Sequence, residues 1–148
     1  MSQLKPLTFE QLLNRIFDEY QRQQSIFYLS WRYFYRPQTG VDFSCRFRDR
    51  LAATPIGPAA GPHTQLAQNI VCAWLAGARI IELKTVQVMD DLEIPRPCID
   101  VSNVCFNVEW SQELTIAESL DEYIKAWYLL HILPQANIGG LSEQTAPT

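Results

Sequence analysis

The sequence predicts an α/β chain built around one βαβ unit, which follows an N-terminal helix and a β-hairpin. Three observations carry this. The apolar period switches from helical to alternating and back along the first half of the chain, a near-continuous apolar run follows the second helical stretch, and a second capping box opens another helix near the C-terminus. The 148 residues are 47% hydrophobic and 19% charged, which suits one globular domain with a core and excludes a solvated, disordered chain.

Thr8 and Gln11 have the spacing of a capping box, and Phe9, Leu12, Leu13, Ile16, Phe17 and Tyr20 recur at three- and four-residue intervals, giving an amphipathic helix from about Thr8 to Gln23. The following stretch, SIFYLSWRYFYRPQTG, is aromatic without a clean period and reads as an irregular connection packed on something large. Val41, Phe43, Cys45 and Phe47 then alternate with Asp42, Ser44, Arg46 and Arg48, as in a half-buried strand of a hairpin. TPIGPAAGPH fits a short buried strand opening into a tight loop. Leu66, Ile70, Val71, Trp74 and Leu75 fall on one side of a helix that Gly77 can end as a left-handed cap. The run ARIIELKTV, from Ala78 to Val86, suits a strand covered on both faces.

Strand, short helix and strand make a right-handed βαβ crossover with parallel strands. Beyond it, VMDDLEIPRPCIDVSNVCFNVEW reads as a long loop. Thr115 and Glu118 form the second capping box, and Ile116, Leu120, Tyr123, Ile124, Trp127 and Leu130 carry a long helix expected to stop before Pro134. The predicted organisation is a helical extension over 1–40, an α/β body over 41–133 and a disordered tail over 134–148.

Charge and targeting signals narrow the function. Twelve Lys plus Arg against sixteen Asp plus Glu leave a net charge of -4, with no basic run for nucleic acid or an anionic membrane surface. No stretch is long and apolar enough for a membrane span and the N-terminus lacks the pattern of a signal peptide, so the expected location is cytoplasmic. Cys45, Cys72, Cys98 and Cys105 have no C-x-x-C pairing, which leaves no metal site and four free thiols.

In parallel α/β proteins, ligands gather beyond the carboxyl ends of the strands. Ala59, Ala60 and Gly61 lie at the first such end, where absent side-chain bulk would let a flat ring or a phosphate approach the backbone; taken alone, close packing of strand and helix is the simpler explanation. Lys84 and Thr85 lie at the second. A lysine in an apolar strand needs an anion, a carbonyl or water, and the alternatives are a ligand, a snorkelling side chain or pairing with Glu82 or Asp90. His63 reads as a loop residue before the helix, His131 as a helix-end residue, and the adjacent acids Asp90-Asp91 and Asp121-Glu122 as a solvated loop and helix start.

TPIGPAAG, the helix, GARIIELKTV and later PRPCID and FNVEW resemble the opening of the FMN-binding barrel shared by dihydroorotate and dihydropyrimidine dehydrogenases. FDEYQRQQSIF, GPAAGPHTQLAQNIV, IELKTVQ, and CFN followed by EW are more similar still to the N-terminal part of the YgfK-like selenate reductase subunits, a flavin and iron–sulfur oxidoreductase family. The resemblance implies the first βαβα portion of a (β/α)8 TIM barrel. It implies FMN as cofactor, with Ala59, Ala60 and Gly61 against the flavin, Lys84 and Thr85 at the ring edge and ribityl chain, and Lys84 as the catalytic cation. Asn107 resembles a substrate-binding asparagine, an amide suited to a heterocycle.

A complete barrel needs about 250 residues. The later strands, the phosphate-binding loops and the family's catalytic Cys or Ser loop are not found in this sequence. Iron–sulfur clusters, FAD and NAD(P) would belong to further parts of a full-length flavoprotein. The implied partners are a small-molecule substrate and the remainder of the barrel or other redox subunits. The expectation is an N-terminal fragment that is inactive alone. The alternative is a non-catalytic α/β interaction module docking through Phe27 to Tyr35.

Overall fold

The computed structural model describes residues 5–85, 99–100, 106–107 and 114–141. The Thr8 hydroxyl accepts from the Gln11 amide and the Gln11 side chain accepts from the Thr8 amide, so the first capping box forms and opens α1, Phe9–Gln23. Leu12 and Ile16 bury fully, while Phe17 stays exposed at the edge of the stripe.

The aromatic stretch after α1 is a tight hairpin rather than an irregular connection. Strands β1 (Ser25–Ile26) and β2 (Leu29–Ser30) pair antiparallel around Phe27 and Tyr28, both at positive φ. That left-handed turn normally calls for Gly or Asn. Here tertiary contacts over-determine it: the Tyr28 amide donates to Glu19 Oε2 at 2.8 Å, and the Arg15 guanidinium lies 5.2 Å from the Phe27 ring and 5.0 Å from the Tyr28 ring. A 3-10 turn, Trp31–Tyr33, follows.

The second hairpin forms as expected but is shorter than the alternation suggests. Strands β3 (Cys45–Phe47) and β4 (Arg50–Ala52) pair antiparallel, whereas Val41–Ser44 lies outside the ladder. The Asp42 carboxylate accepts from the Ser44 amide at 2.8 Å, a local side-chain turn that competes with strand pairing. Phe43 and Phe47, expected to be inward, are exposed.

The helix of the βαβ unit is α2, Ala67–Leu75, closed by Gly77 at φ +114. Its two flanking segments, 54–60 and 78–85, are not ladder strands, which corrects that expectation. They nevertheless lie side by side and parallel: Ile56 O accepts from the Arg79 and Ile80 amides at 3.0 and 3.3 Å, and the Ala60 amide donates to Glu82 Oε2 at 2.9 Å. One carbonyl taking two amides, and a side chain taking the next, break the regular ladder. The approach is close enough that a Cβ on Gly57 would sit 1.5 Å from Ile80 O.

Strands β5 (Ile99–Asp100) and β6 (Phe106–Asn107) pair antiparallel, so a hairpin interrupts the expected long loop. The second capping box, Thr115 with Glu118, opens α3, Ile116–Gln135. The helix runs through Pro134 instead of stopping before it. A proline there removes a single amide in the last turn, and its ring is buried. The expected disordered tail is ordered over 134–141: a 3-10 turn, Ile138–Gly140, buries Ile138 and Leu141, and the Gly139 amide donates to the Tyr20 hydroxyl at 2.8 Å.

All three helices share one core. Leu12, Ile16, Ile26 and Phe34 join Val71, Trp74 and Leu75 of α2 and Leu129, Leu130 and Leu133 of α3. The described part of residues 1–40 packs into this core. The buried face of α3 is the larger surprise. Ser119, Glu122, Lys125, Ala126 and Leu129 turn inward; of the stripe read from the sequence, Leu130 is buried and Tyr123 packs against the core, whereas Ile116, Leu120, Ile124 and Trp127 are exposed together with Tyr128. The described residues form three two-stranded sheets and no closed barrel.

Candidate functional site

The structure gathers the first predicted group at a turn. Ala59 is exposed and Ala60 half-buried. Gly61 is buried, its amide donating to Thr64 Oγ1 at 3.1 Å and its carbonyl accepting from the Thr64 hydroxyl at 2.9 Å. Residues Pro62–Gln65 make a 3-10 turn leading into α2, and Asn69 Nδ2 donates to the His63 carbonyl at 2.7 Å. The Ala60 amide is taken by the Glu82 carboxylate and the Gly61 amide by Thr64. Neither is open to an anion, so a phosphate is not received at these two backbone groups.

Lys84 is 8% exposed, and its Nζ donates to the Thr85 carbonyl at 3.5 Å. Its own carbonyl accepts from the Tyr123 hydroxyl at 3.3 Å, and burial pushes the Tyr123 phenol above its ordinary pKa. Thr85 is exposed beside it. The two strand-end groups thus lie at the same end of parallel neighbouring segments. Asn107 falls in β6 opposite Ile99, not in a loop. Asp90, Asp91, Cys98 and Cys105 lie outside the described residues.

Sequence reasoning missed the residue that ties this end together. Glu122, read as part of a solvated helix start, is 2% exposed. Its Oε2 accepts from the Ala67 amide at 2.7 Å, capping a helix whose own N-cap residue, Leu66, has no polar side chain. Its Oε1 accepts from Lys125 Nζ at 2.8 Å, and that ammonium also reaches Leu7 O at 2.9 Å and Asp121 at 2.6 Å. Burial works against the charged Lys125, but Asp121 and Glu122 outweigh it and hold its pKa above the usual value. Helix α3 therefore clamps the start of α2 through Glu122 and the end of segment 78–85 through Tyr123.

Gln65 was also missed. It is fully buried, and among the described residues neither its amide oxygen nor its nitrogen has a hydrogen-bond partner. Position gives the only sequence signal, four residues beyond Gly61 in the strand-end loop. A buried amide with donor and acceptor both unspent is costly unless something pairs with it.

Cys45 and Cys72 are free and half-buried. Burial pushes the Cys72 thiol up to about 11, which makes it a poor nucleophile at neutral pH. Among the described residues no cluster of His, Cys, Asp or Glu could hold a metal ion, and no helix is long and apolar enough to cross a membrane.

A helix joining two parallel segments, with polar groups collected beyond their carboxyl ends, is the repeating unit of barrel and doubly wound α/β proteins. A family model described as "Oxidoreductase YgfK, N-terminal TIM-barrel domain" matches residues 27–145, and the chain belongs to that family. Two curated relatives named as the oxidoreductase YgfK, from Escherichia coli strain K12 and from Escherichia coli O157:H7, are each 57% identical to it over 130 residues. The match covers 88% of this chain and 12% of each relative, so the chain spans about an eighth of their length. No solved structure matches the chain.

Proposed function

We propose that this chain is the opening βαβα portion of an FMN-binding barrel in a larger oxidoreductase, with residues 1–40 packed against it as an extension and 41–133 as the barrel entrance. The observation that carries the reading is the parallel approach of segments 54–60 and 78–85 around α2, with Lys84 and the Ala59–Gln65 turn at one end. Family membership supports it, and so do the exposed apolar residues of α3, which the continuing barrel would cover.

The residues fit part of a flavin. Lys84 supplies a cation, Gln65 an unpaired amide donor and acceptor, and Ala59 a backbone approach without bulk. The Ala60 amide is already bonded to Glu82, so the phosphate grip falls to other parts of the barrel. Bound FMN would supply two-electron transfer. Lys84 would hold fixed positive charge where negative charge develops, and Thr85, exposed at the rim, would contact the ribityl chain. Asn107 would offer its amide to the substrate, a small molecule for which no residue here favours an oxyanion such as selenate over a pyrimidine. Iron–sulfur clusters, FAD, NAD(P) and further redox subunits would belong to the remaining length, and the location would be cytoplasmic.

The rival reading, a docking module using the Phe27–Tyr35 region, draws on exposed Tyr28 and Tyr33, but Phe27 and Phe34 are spent in the core. Titration with FMN, followed by flavin fluorescence, separates the two. Lys84→Ala is expected to weaken binding at least tenfold and Trp31→Ala to leave it unchanged. Binding indifferent to Lys84→Ala would refute the assignment.

A further inference from the structure

A second feature lies away from the strand-end groups. The hairpin β3–β4, the start of segment 78–85 and the end of α2 enclose a cavity of about 510 Å³ that none of Ala59, Ala60, Gly61, Lys84 or Thr85 lines. Its size is that of a small-molecule site. The walls are mostly apolar, from Phe43, Phe47, Ile80 and Ile81.

Arg79 lines this cavity with its guanidinium held between two rings, 5.3 Å from the centroid of Tyr35 and 4.9 Å from that of Trp74. Its Nη1 donates to the Trp74 and Ala78 carbonyls, both at 2.8 Å, capping the end of α2. The rest of the fork is unspent: Nε is buried without an acceptor, and among the described residues no carboxylate pairs with the charge. Desolvation lowers the pKa of the guanidinium, the mark of a cation out of water without an anion. Trp74, 2% exposed, also lines the cavity. Of the other charged lining residues, Asp42, an ionised carboxylate that accepts from the Ser44 amide, and Arg50 are both exposed and offset one another in charge.

A positive charge without a carboxylate partner among the described residues, in the lining of a mostly apolar cavity, defines a complement: a negative charge on an apolar body. We propose that this cavity binds a small apolar carboxylate, its head towards Arg79 and its hydrocarbon against the hairpin aromatics. Arg79 fixes the orientation, and the exposed rings of Phe43 and Phe47 are covered by the ligand.

The test is calorimetric titration of the chain with octanoate and with 1-octanol, which share a tail and differ in the head. The unmodified chain is expected to bind octanoate at least tenfold tighter. Arg79→Gln is expected to abolish that preference while leaving octanol unchanged, and Arg79→Lys, which keeps the charge, to retain part of it. Phe47→Asp, at an exposed hairpin position that the core does not use, is expected to weaken both ligands. Equal binding of the two ligands by the unmodified chain, absence of octanoate binding, or occupation of the cavity by a second copy, seen as protein-concentration-dependent loss of binding, would overturn the proposal. The ligand comparison on unmodified protein decides the matter even if Arg79→Gln loosens the end of α2.

Discussion

Glu122→Ala is expected to cost about 3 kcal/mol of folding stability, the toll of removing one partner from a buried charge pair. The substitution leaves the Ala67 amide uncapped and takes from Lys125 one of its two carboxylates, at the point where α2, α3 and the Leu7 carbonyl meet. In a domain of this size the melting temperature should fall on the order of 10 °C. Asp121→Asn, which touches the same ammonium from an exposed position, should cost less than about 1 kcal/mol. The pH dependence has a definite sign. Because the folded-state pKa of Lys125 is raised, its contribution is complete below the unfolded value near about 10.4 and is lost as pH rises through the folded value. Urea titrations of both variants at neutral and alkaline pH measure these effects. A Glu122→Ala loss below about 1 kcal/mol would remove the clamp from the account.

Gly57→Ala is the second large effect, expected at roughly 3 kcal/mol. The added carbon would lie 1.5 Å from Ile80 O, a distance only backbone movement relieves. The strain would fall on the contact that aligns the two segments, so the Arg79 and Ile80 amides, which both donate to Ile56 O, should lose hydrogen-exchange protection before the rest of the core. Gly40 has open space around it, and Gly40→Asn should leave those amides untouched. Unchanged exchange at Arg79 and Ile80 in Gly57→Ala would show that the segments are not held together there.

The helices were legible because their start signals are local. Thr8 with Gln11 and Thr115 with Glu118 read as capping boxes and form them, and Gly77 ends α2 at positive φ. The inward face of α3 was not legible, because the helix is apolar on two sides and periodicity favours the richer one. Ile116, Leu120, Ile124 and Trp127 outweigh a face that carries Glu122 and Lys125, yet those two charges bury because each satisfies the other and Glu122 also caps α2. No residue pattern announces a cap delivered from 55 positions away. Segments 54–60 and 78–85 were recognisable as neighbours from their apolarity, but the loss of ladder pairing depends on Glu82 reaching the Ala60 amide. Arg79 drew no reading of its own within the run from Ala78 to Val86, and only packing between Tyr35 and Trp74 sets it apart.

Leu120, Ile124, Trp127 and Tyr128 are exposed on α3, and the proposed reading has further barrel cover them. The most direct test of that central claim is the size of the native product in its source cell, by denaturing gel and peptide mapping with an antibody against residues 54–85. The account predicts a product several times larger than 17.0 kDa, in which further chain completes the barrel. A stable product of 17.0 kDa would contradict it and leave the interaction module as the reading of the fold.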